Sequence, residues 1–158
     1  MFVELDGWKI DLRFSAAHFI PSHDKCSRLH GHDYGIRVRV YGEVAESFII
    51  DFLELKRYIE EIIGGLDHRV LVPEKNGISK HSISGDQVIV EYQGKKFSLF
   101  KPDVYFIPDS STSSEALAKF IGNKLRDRIV SNQNVSKIEL CVDEGPGMGA
   151  WVEIGIEK

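Results

Sequence analysis

Between Trp8 and His18 the chain alternates, with Trp8, Ile10, Leu12, Phe14 and Ala16 set against Lys9, Asp11 and Arg13. That is the period of a strand buried on one face. From His30 to Tyr41 the pattern returns, Ile36, Val38 and Val40 against Arg37 and Arg39, and two such strands joined by a loop predict an antiparallel pair. After Asp51 the period changes. Phe52, Leu55, Ile59, Ile62 and Ile63 form a helical stripe that Asp51 caps and Gly64-Gly65 closes. Thr112-Ser113-Ser114-Glu115 reads as a capping box for a second helix with Leu117, Phe120, Ile121, Leu125 and Ile129 on one face. Two alternating strands follow, Ile138-Leu140-Val142 and Ala150-Val152-Ile154-Ile156, separated by the turn-rich EGPGMG. Inside the long segment from Leu71 to Asp109, VIVEYQGKKFSLF reads as a hairpin turning at Gln93-Gly94. The expected architecture is α+β: a four-stranded antiparallel sheet, two helices on one face, and an inserted hairpin.

Composition narrows the class. The length of 158 residues suits one domain over 1–158, with an insertion at about 72–109. A formal net charge of -4 argues against nucleic acid as the main partner, since such proteins present a basic stripe. The sequence holds no apolar run of the roughly 20 residues a membrane span needs, and MFVELDGWKI lacks an apolar signal core. Cys26 and Cys141 lie too far apart in sequence to suggest a disulfide framework. A reducing cytoplasm is the expected compartment.

Chemistry concentrates in AAHFIPSHDKCSRLHGHDYG, residues 16–35, which holds four of the six histidines and one of the two cysteines. Strand side chains on one face share parity. His18 continues the even-numbered apolar face of the first strand, and His30 and His32 continue that of the second. An antiparallel pairing brings those ends together, and three imidazoles with an open fourth position suit a catalytic zinc site. Gly31 removes a side chain that would crowd the two ligands flanking it. A surface turn with a polar strand end is the bland alternative. A second alternative keeps the metal and adds the Cys26 thiolate, which closes the site and makes it structural. Leu66-Asp67-His68 places an acid and a base just past the first helix, where a solvated loop is the plainer reading. Glu144 ends the strand Ile138-Leu140-Val142 on its apolar parity, an odd place for an unpaired carboxylate unless a bulge turns it outward. Cys141 is out of phase with that face and needs no role beyond packing.

Cys26-Ser27-Arg28-Leu29-His30-Gly31-His32 resembles the CxxxHGH signature of the 6-pyruvoyl-tetrahydropterin synthase superfamily, in the form typical of 6-carboxy-tetrahydropterin synthases. Further blocks fall in order: FSAAH at 14–18, IDFLELK at 50–56, LDH at 66–68, TSSEALA at 112–118 and VDE at 142–144. The resemblance implies a tunnelling fold in which subunit sheets join edge to edge into a barrel, as a hexamer of two stacked trimers. It implies Zn2+ on His18, His30 and His32, Cys26 as proton-abstracting base, Asp67 and His68 as an acid-base pair, and Glu144 as the carboxylate gripping the pterin ring. The implied substrate is 7,8-dihydroneopterin triphosphate, and the implied product 6-carboxy-5,6,7,8-tetrahydropterin of a queuosine- or archaeosine-type 7-deazapurine pathway. Release of 6-pyruvoyl-tetrahydropterin is the runner-up, and a non-catalytic pterin- or purine-binding protein with a structural zinc is the alternative of another class. The chain departs from the short form of the pattern at Val72, where an Asn is usual, and in its inserted hairpin. Lys25, Arg28 and Arg13 are candidate partners for the triphosphate.

Overall fold

In a computed structural model that describes residues 1–157, the chain runs β1 (Phe2–Asp6), α1 (Gly7–Ile10), β2 (Arg13–His18), β3 (His30–Gly42), α2 (Phe52–Gly64), β4 (Arg69–Pro73) and β5 (Lys80–Ser84). It continues through β6 (Gln87–Tyr92), β7 (Lys95–Phe100), β8 (Val104–Ile107), α3 (Ser114–Ile129), β9 (Val135–Gly145) and β10 (Met148–Gly155). The main sheet has seven strands in the order β10-β9-β3-β2-β4-β8, with β1 pairing β3 off that path. A separate three-stranded sheet, β5-β6-β7, is inserted between β4 and β8.

The even-numbered faces behave as the alternation demands. Phe14, Ile36, Val38, Val40, Ile138, Leu140 and Val142 are buried in one core with Leu55 and Ile59 of α2 and Leu117, Ile121 and Leu125 of α3. Asp51 caps α2 by accepting from the backbone N–H groups of Leu53 and Glu54 at 2.7 and 3.0 Å. Ser113 is the N-cap residue of α3 but makes no side-chain capping bond, so the sequence marked the start of that helix but not its cap chemistry.

Three expectations need correction. The first strand begins at Arg13, not Trp8, because Trp8 and Ile10 belong to the single turn α1. Asp6 accepts from the Trp8 backbone N–H. Gly7 packs so closely that a Cβ there would sit 2.4 Å from the carbonyl oxygens of both Ile36 and Leu12. Second, the sheet has seven strands, not four. Third, it is mixed and not purely antiparallel, because β4 pairs in parallel with both β2 and β8.

These parallel strands hid inside the presumed insertion because they are covered on both faces. Leu71 and Ile107 enter the main core, while Val70, Val72, Val104 and Phe106 pack with Phe19, Val88, Val90 and Tyr92 in a second core. A strand buried on both sides shows no alternation to read. The β6–β7 hairpin turns where expected, with positive φ at both Gln93 and Gly94, the signature of a type I′ turn.

Candidate metal centre and acid-base residues

The pairing of β2 with β3 sets His18 directly opposite His30 and Ala16 opposite His32. A Cβ at Gly31 would stand 3.0 Å from the Ala16 carbonyl oxygen, so glycine lets the two strands close at this point. As parity requires, the three imidazoles share one face. Among the described residues, the ligand atoms of His18, His30 and His32 all lie within 4.8 Å of one another. Cys26 is outside that group, an arrangement that does not resemble a closed four-ligand site.

The histidine tautomers follow from their partners. His18 Nδ1 lies 2.8 Å from the Thr112 carbonyl oxygen and His30 Nδ1 lies 2.6 Å from the Arg28 carbonyl oxygen. A carbonyl only accepts, so both Nδ1 atoms carry the proton and both Nε2 atoms present lone pairs. Those Nε2 atoms stand 3.1 Å apart, a repulsive approach unless a proton or a cation lies between them. His32 Nε2 is buried without a hydrogen-bond partner. The donor set and the orphaned nitrogen therefore fit a metal ion held by three imidazoles. Burial, which outweighs the bond to Thr112, holds the His18 pKa below its ordinary value and keeps it in the neutral form a metal needs.

Glu144 reaches the same place from β9. Its carboxylate lies 4.0 Å from His18 Nε2 and 3.8 Å from His32 Nε2. Its neighbour Asp143 faces the other side of the sheet. The β9–β10 register shifts here, with Asp143 opposite Gly149 and Gly145 opposite Met148, and the irregularity at Glu144 does not turn it away from the histidines. Tyr34 continues the face of the histidines: its ring stacks on Phe14 at 4.9 Å and stands edge-on to His18 and His32, and its buried hydroxyl has no partner. Neither Tyr34 nor Thr112 stood out in the sequence. The even parity of Tyr34 was the available signal; Thr112 was marked only as the start of a capping box, and nothing local ties its carbonyl to His18, 94 residues away.

Asp67 and His68 form a pair at the opposite edge of β2. Asp67 accepts from the Ser15 backbone N–H at 2.8 Å and from His68 Nδ1 at 2.7 Å, and the His68 N–H donates to the Ser15 carbonyl at 2.7 Å. His68 takes a positive φ of 57°, which turns its ring out so that its side chain is 83% exposed. Burial pushes the Asp67 pKa up, but the Ser15 N–H and the His68 ring outweigh it, and the net shift is downward. His68 and His32 line one open cleft of about 470 Å³ with Ser15, Gly31 and Arg69.

Cys26 lies half-buried on the loop from β2 to β3. Its backbone N–H donates to His23 Nδ1 at 3.0 Å and its carbonyl accepts from the Ile20 N–H at 2.7 Å. Of the cations considered for a triphosphate, Arg13 is already committed, bonding Asp11 and Asp33 at 2.6–2.9 Å. Lys25 and Arg28 are exposed on the Cys26 loop.

The α+β fold combines a mixed sheet and three helices with three converging histidines that could hold a metal ion. The 6-pyruvoyl tetrahydropterin synthase family model matches residues 8–154, and the chain belongs to that family. It is 34% identical over 154 residues to a putative 6-carboxy-5,6,7,8-tetrahydropterin synthase of Methanocaldococcus jannaschii, covering 95% of this chain and 94% of that one. It is 27% identical over 123 residues to the 6-carboxy-5,6,7,8-tetrahydropterin synthase of Haemophilus influenzae, covering 73% and 79%. The 6-pyruvoyl tetrahydropterin synthase of Plasmodium falciparum superposes with a TM-score of 0.90 at 25% identity over 99% of this chain and 98% of that one. The protein is a lyase of the pterin synthase type. No helix of the described residues is long and apolar enough to cross a membrane.

Proposed function

We propose that the protein is a zinc-dependent lyase that converts 7,8-dihydroneopterin triphosphate to 6-carboxy-5,6,7,8-tetrahydropterin, serving 7-deazapurine synthesis in the cytoplasm. The observation that carries this reading is the convergence of three imidazoles, one with an orphaned nitrogen, on a point beside Glu144. The names of the two relatives favour the 6-carboxy product over the 6-pyruvoyl product.

In this reading His18, His30 and His32 hold the zinc, which when bound supplies a Lewis acid that polarises the substrate's side-chain hydroxyls. The Cys26 thiolate takes the proton from the substrate side chain, and the Asp67–His68 pair supplies or relays one, with Asp67 holding the His68 ring through Nδ1. Glu144 accepts hydrogen bonds from the amino and ring N–H edge of the pterin and orients it. Because Glu144 lies within 4.0 Å of two histidine nitrogens, a second reading has it contribute an oxygen ligand to the metal. The exposed edge strand β10 and an apolar patch around Phe48, Phe52 and Leu53 support assembly, here taken to be a hexamer of two trimers closed into a barrel.

The deciding experiment is incubation of the zinc-loaded protein with 7,8-dihydroneopterin triphosphate and mass analysis of the products. Appearance of 6-carboxy-tetrahydropterin supports the reading. A 6-pyruvoyl product moves the protein to the runner-up, and unchanged substrate with tight pterin binding makes it a binding protein.

A further inference from the structure

The inserted sheet reaches back to the loop that carries Cys26. That loop runs from Phe19 to Leu29 between β2 and β3, and its internal bonds are few: Ile20 N–H to Cys26 O, His23 N–H to Ile20 O, Arg28 N–H to Lys25 O, the Cys26 N–H to His23, and Ser27 Oγ to the Asp24 carbonyl. The tip of the β6–β7 hairpin supplies what the loop lacks. The Tyr92 hydroxyl donates to the carbonyl of Ser27, the residue next to Cys26. Lys95 Nζ donates to that same carbonyl at 3.3 Å and to Ser27 Oγ at 3.1 Å. The Gln93 side-chain amide donates to the Pro21 carbonyl at 2.7 Å.

Apolar packing locks the tip in place. The Tyr92 ring lies flat on Phe19 at 4.7 Å and 4°, Lys95 Nζ sits 5.3 Å from the centre of the Tyr92 ring, and Phe19 is fully buried in the second core with Val88, Val90 and Tyr92. Phe19 directly follows the metal-site residue His18, and the Thr112 hydroxyl clamps its carbonyl at 3.0 Å. Ser27 is 4% exposed although it lies in a loop. A loop on its own exposes its backbone to water; this one is held at both ends of its Pro21–Ser27 span by groups from a separate sheet.

We infer that the inserted β5-β6-β7 sheet is a positioning device for catalysis, with Tyr92, Gln93 and Lys95 acting as positioning residues that restrain the Cys26 loop, the segment that joins His18 to His30. None of the three touches substrate in this scheme; they act through Ser27 and Pro21. The inference rests on the lyase reading for its effect on turnover, but its structural half, restraint of the Cys26 loop, is independent of that reading.

The test uses the full-length zinc-loaded protein and two variants that keep side-chain bulk, Lys95→Met alone and Tyr92→Phe with Lys95→Met. The phenyl ring still stacks on Phe19, so the second core is preserved. Iodoacetamide labelling with peptide mapping reports on Cys26, since Cys141 is fully buried. Loss of the three bonds to Ser27 in the double variant is expected to speed Cys26 alkylation about tenfold and to lower kcat about tenfold. KM and zinc content should stay within about twofold, and Lys95→Arg should restore both rates relative to Lys95→Met.

Alkylation and turnover at wild-type rates in both variants would overturn the proposal. So would a kcat loss accompanied by loss of zinc or by an equal rise in KM, because that pattern marks general destabilisation. If the wild-type protein does not turn over the pterin triphosphate, the lyase reading fails, and alkylation alone decides whether the inserted sheet restrains Cys26.

Discussion

Asp143 and Glu144 are neighbours in the chain, yet their carboxylates leave β9 toward opposite faces of the sheet. Glu144 faces the histidines. Asp143 is fully buried on the other side, where it accepts from Trp8 Nε1 at 2.9 Å and from Arg37 Nε and Nη2 at 2.8 Å each. The Cys141 thiol also points at it, at 3.4 Å, and burial first, then this carboxylate, pushes that thiol's pKa up to about 12. Asp143 thus ties α1 and β3 to the end of β9, immediately before the register shift at which Glu144 faces the site.

Removing that anchor should be costly. Asp143→Asn keeps the shape but loses the charge facing Arg37, and breaking a buried pair of which Arg37 remains 31% exposed costs about 2–4 kcal/mol. Urea unfolding should show a lower midpoint with an unchanged slope. The pH dependence has a definite sign. Burial raises the Asp143 pKa, but the Arg37, Trp8 and Cys141 bonds outweigh it and the net shift is downward. Its contribution is therefore present above the unfolded carboxylate value of about 3.9 and is lost as pH falls through the lower folded value.

His18 predicts a second, milder pH effect in the metal-free protein. Its folded pKa is lowered, chiefly by burial, from an ordinary 6.5. The unfolded chain takes up the proton first, so the His18 contribution is present above about pH 6.5 and declines as pH falls below it. Thermal unfolding of metal-free protein between pH 8 and pH 5 should show this decline, and His18→Gln should flatten it. A wild-type profile without any slope in that window would contradict the assigned neutral tautomer.

Metal binding and turnover should separate by residue. His30→Ala and His32→Ala are each expected to lose the bound zinc, about one ion per chain in the unmutated protein. Cys26→Ala should keep the zinc and lose turnover, because its thiol lies outside the three-histidine group. Metal analysis on the three purified variants checks both halves. Full zinc retention in both histidine variants would remove the centre, and zinc loss in Cys26→Ala would restore the closed structural site.

What could be read in the sequence follows from how local each signal is. The parity of His18, His30 and His32 was legible because strand faces repeat every two residues, and the β2–β3 pairing turned parity into proximity. The Asp51 cap and the Gln93-Gly94 turn are also local, and both stand as expected. β4 and β8 were hidden because Val70 to Val72 and Val104 to Phe106 are covered on both faces. Trp8 was assigned to a strand because its partner, Asp143, lies 135 residues away. The bond from Tyr92 to Ser27 spans 65 residues, and no spacing rule connects two loops that meet only through the fold.

Glu144 separates two roles that the geometry brings close together. As a pterin anchor, Glu144→Gln keeps its size but presents an amide donor where the ring edge also donates. Affinity for a pterin should then fall roughly ten- to hundredfold, the equivalent of losing a charge-assisted hydrogen bond, while zinc affinity is retained. As a fourth metal ligand, the same variant should instead weaken zinc binding in a chelator competition. Titration of Glu144→Gln with pterin and with zinc therefore assigns the residue. Unchanged affinity for both would leave Glu144 without either role.

Assembly supplies the last test. β10 forms one edge of the main sheet, and an exposed edge strand is a liability unless it is covered or paired. A second unprotected feature lies elsewhere on the chain. Met1, Val3, Val44, Phe48, Phe52 and Leu53 line an apolar recess of about 460 Å³, with Phe52 52% and Leu53 78% exposed. An isolated chain of 17.9 kDa carrying both features would expose backbone donors and a contiguous apolar patch, and pairing between identical chains can satisfy both. Light scattering at micromolar concentration should show a species several times 17.9 kDa. Leu53→Glu, a substitution at a side chain already in water, should leave the folded chain intact by circular dichroism while shifting that species toward smaller mass, and turnover should fall with it. A fully active monomer, whether wild-type or variant, would overturn the barrel and show that one chain holds the complete site.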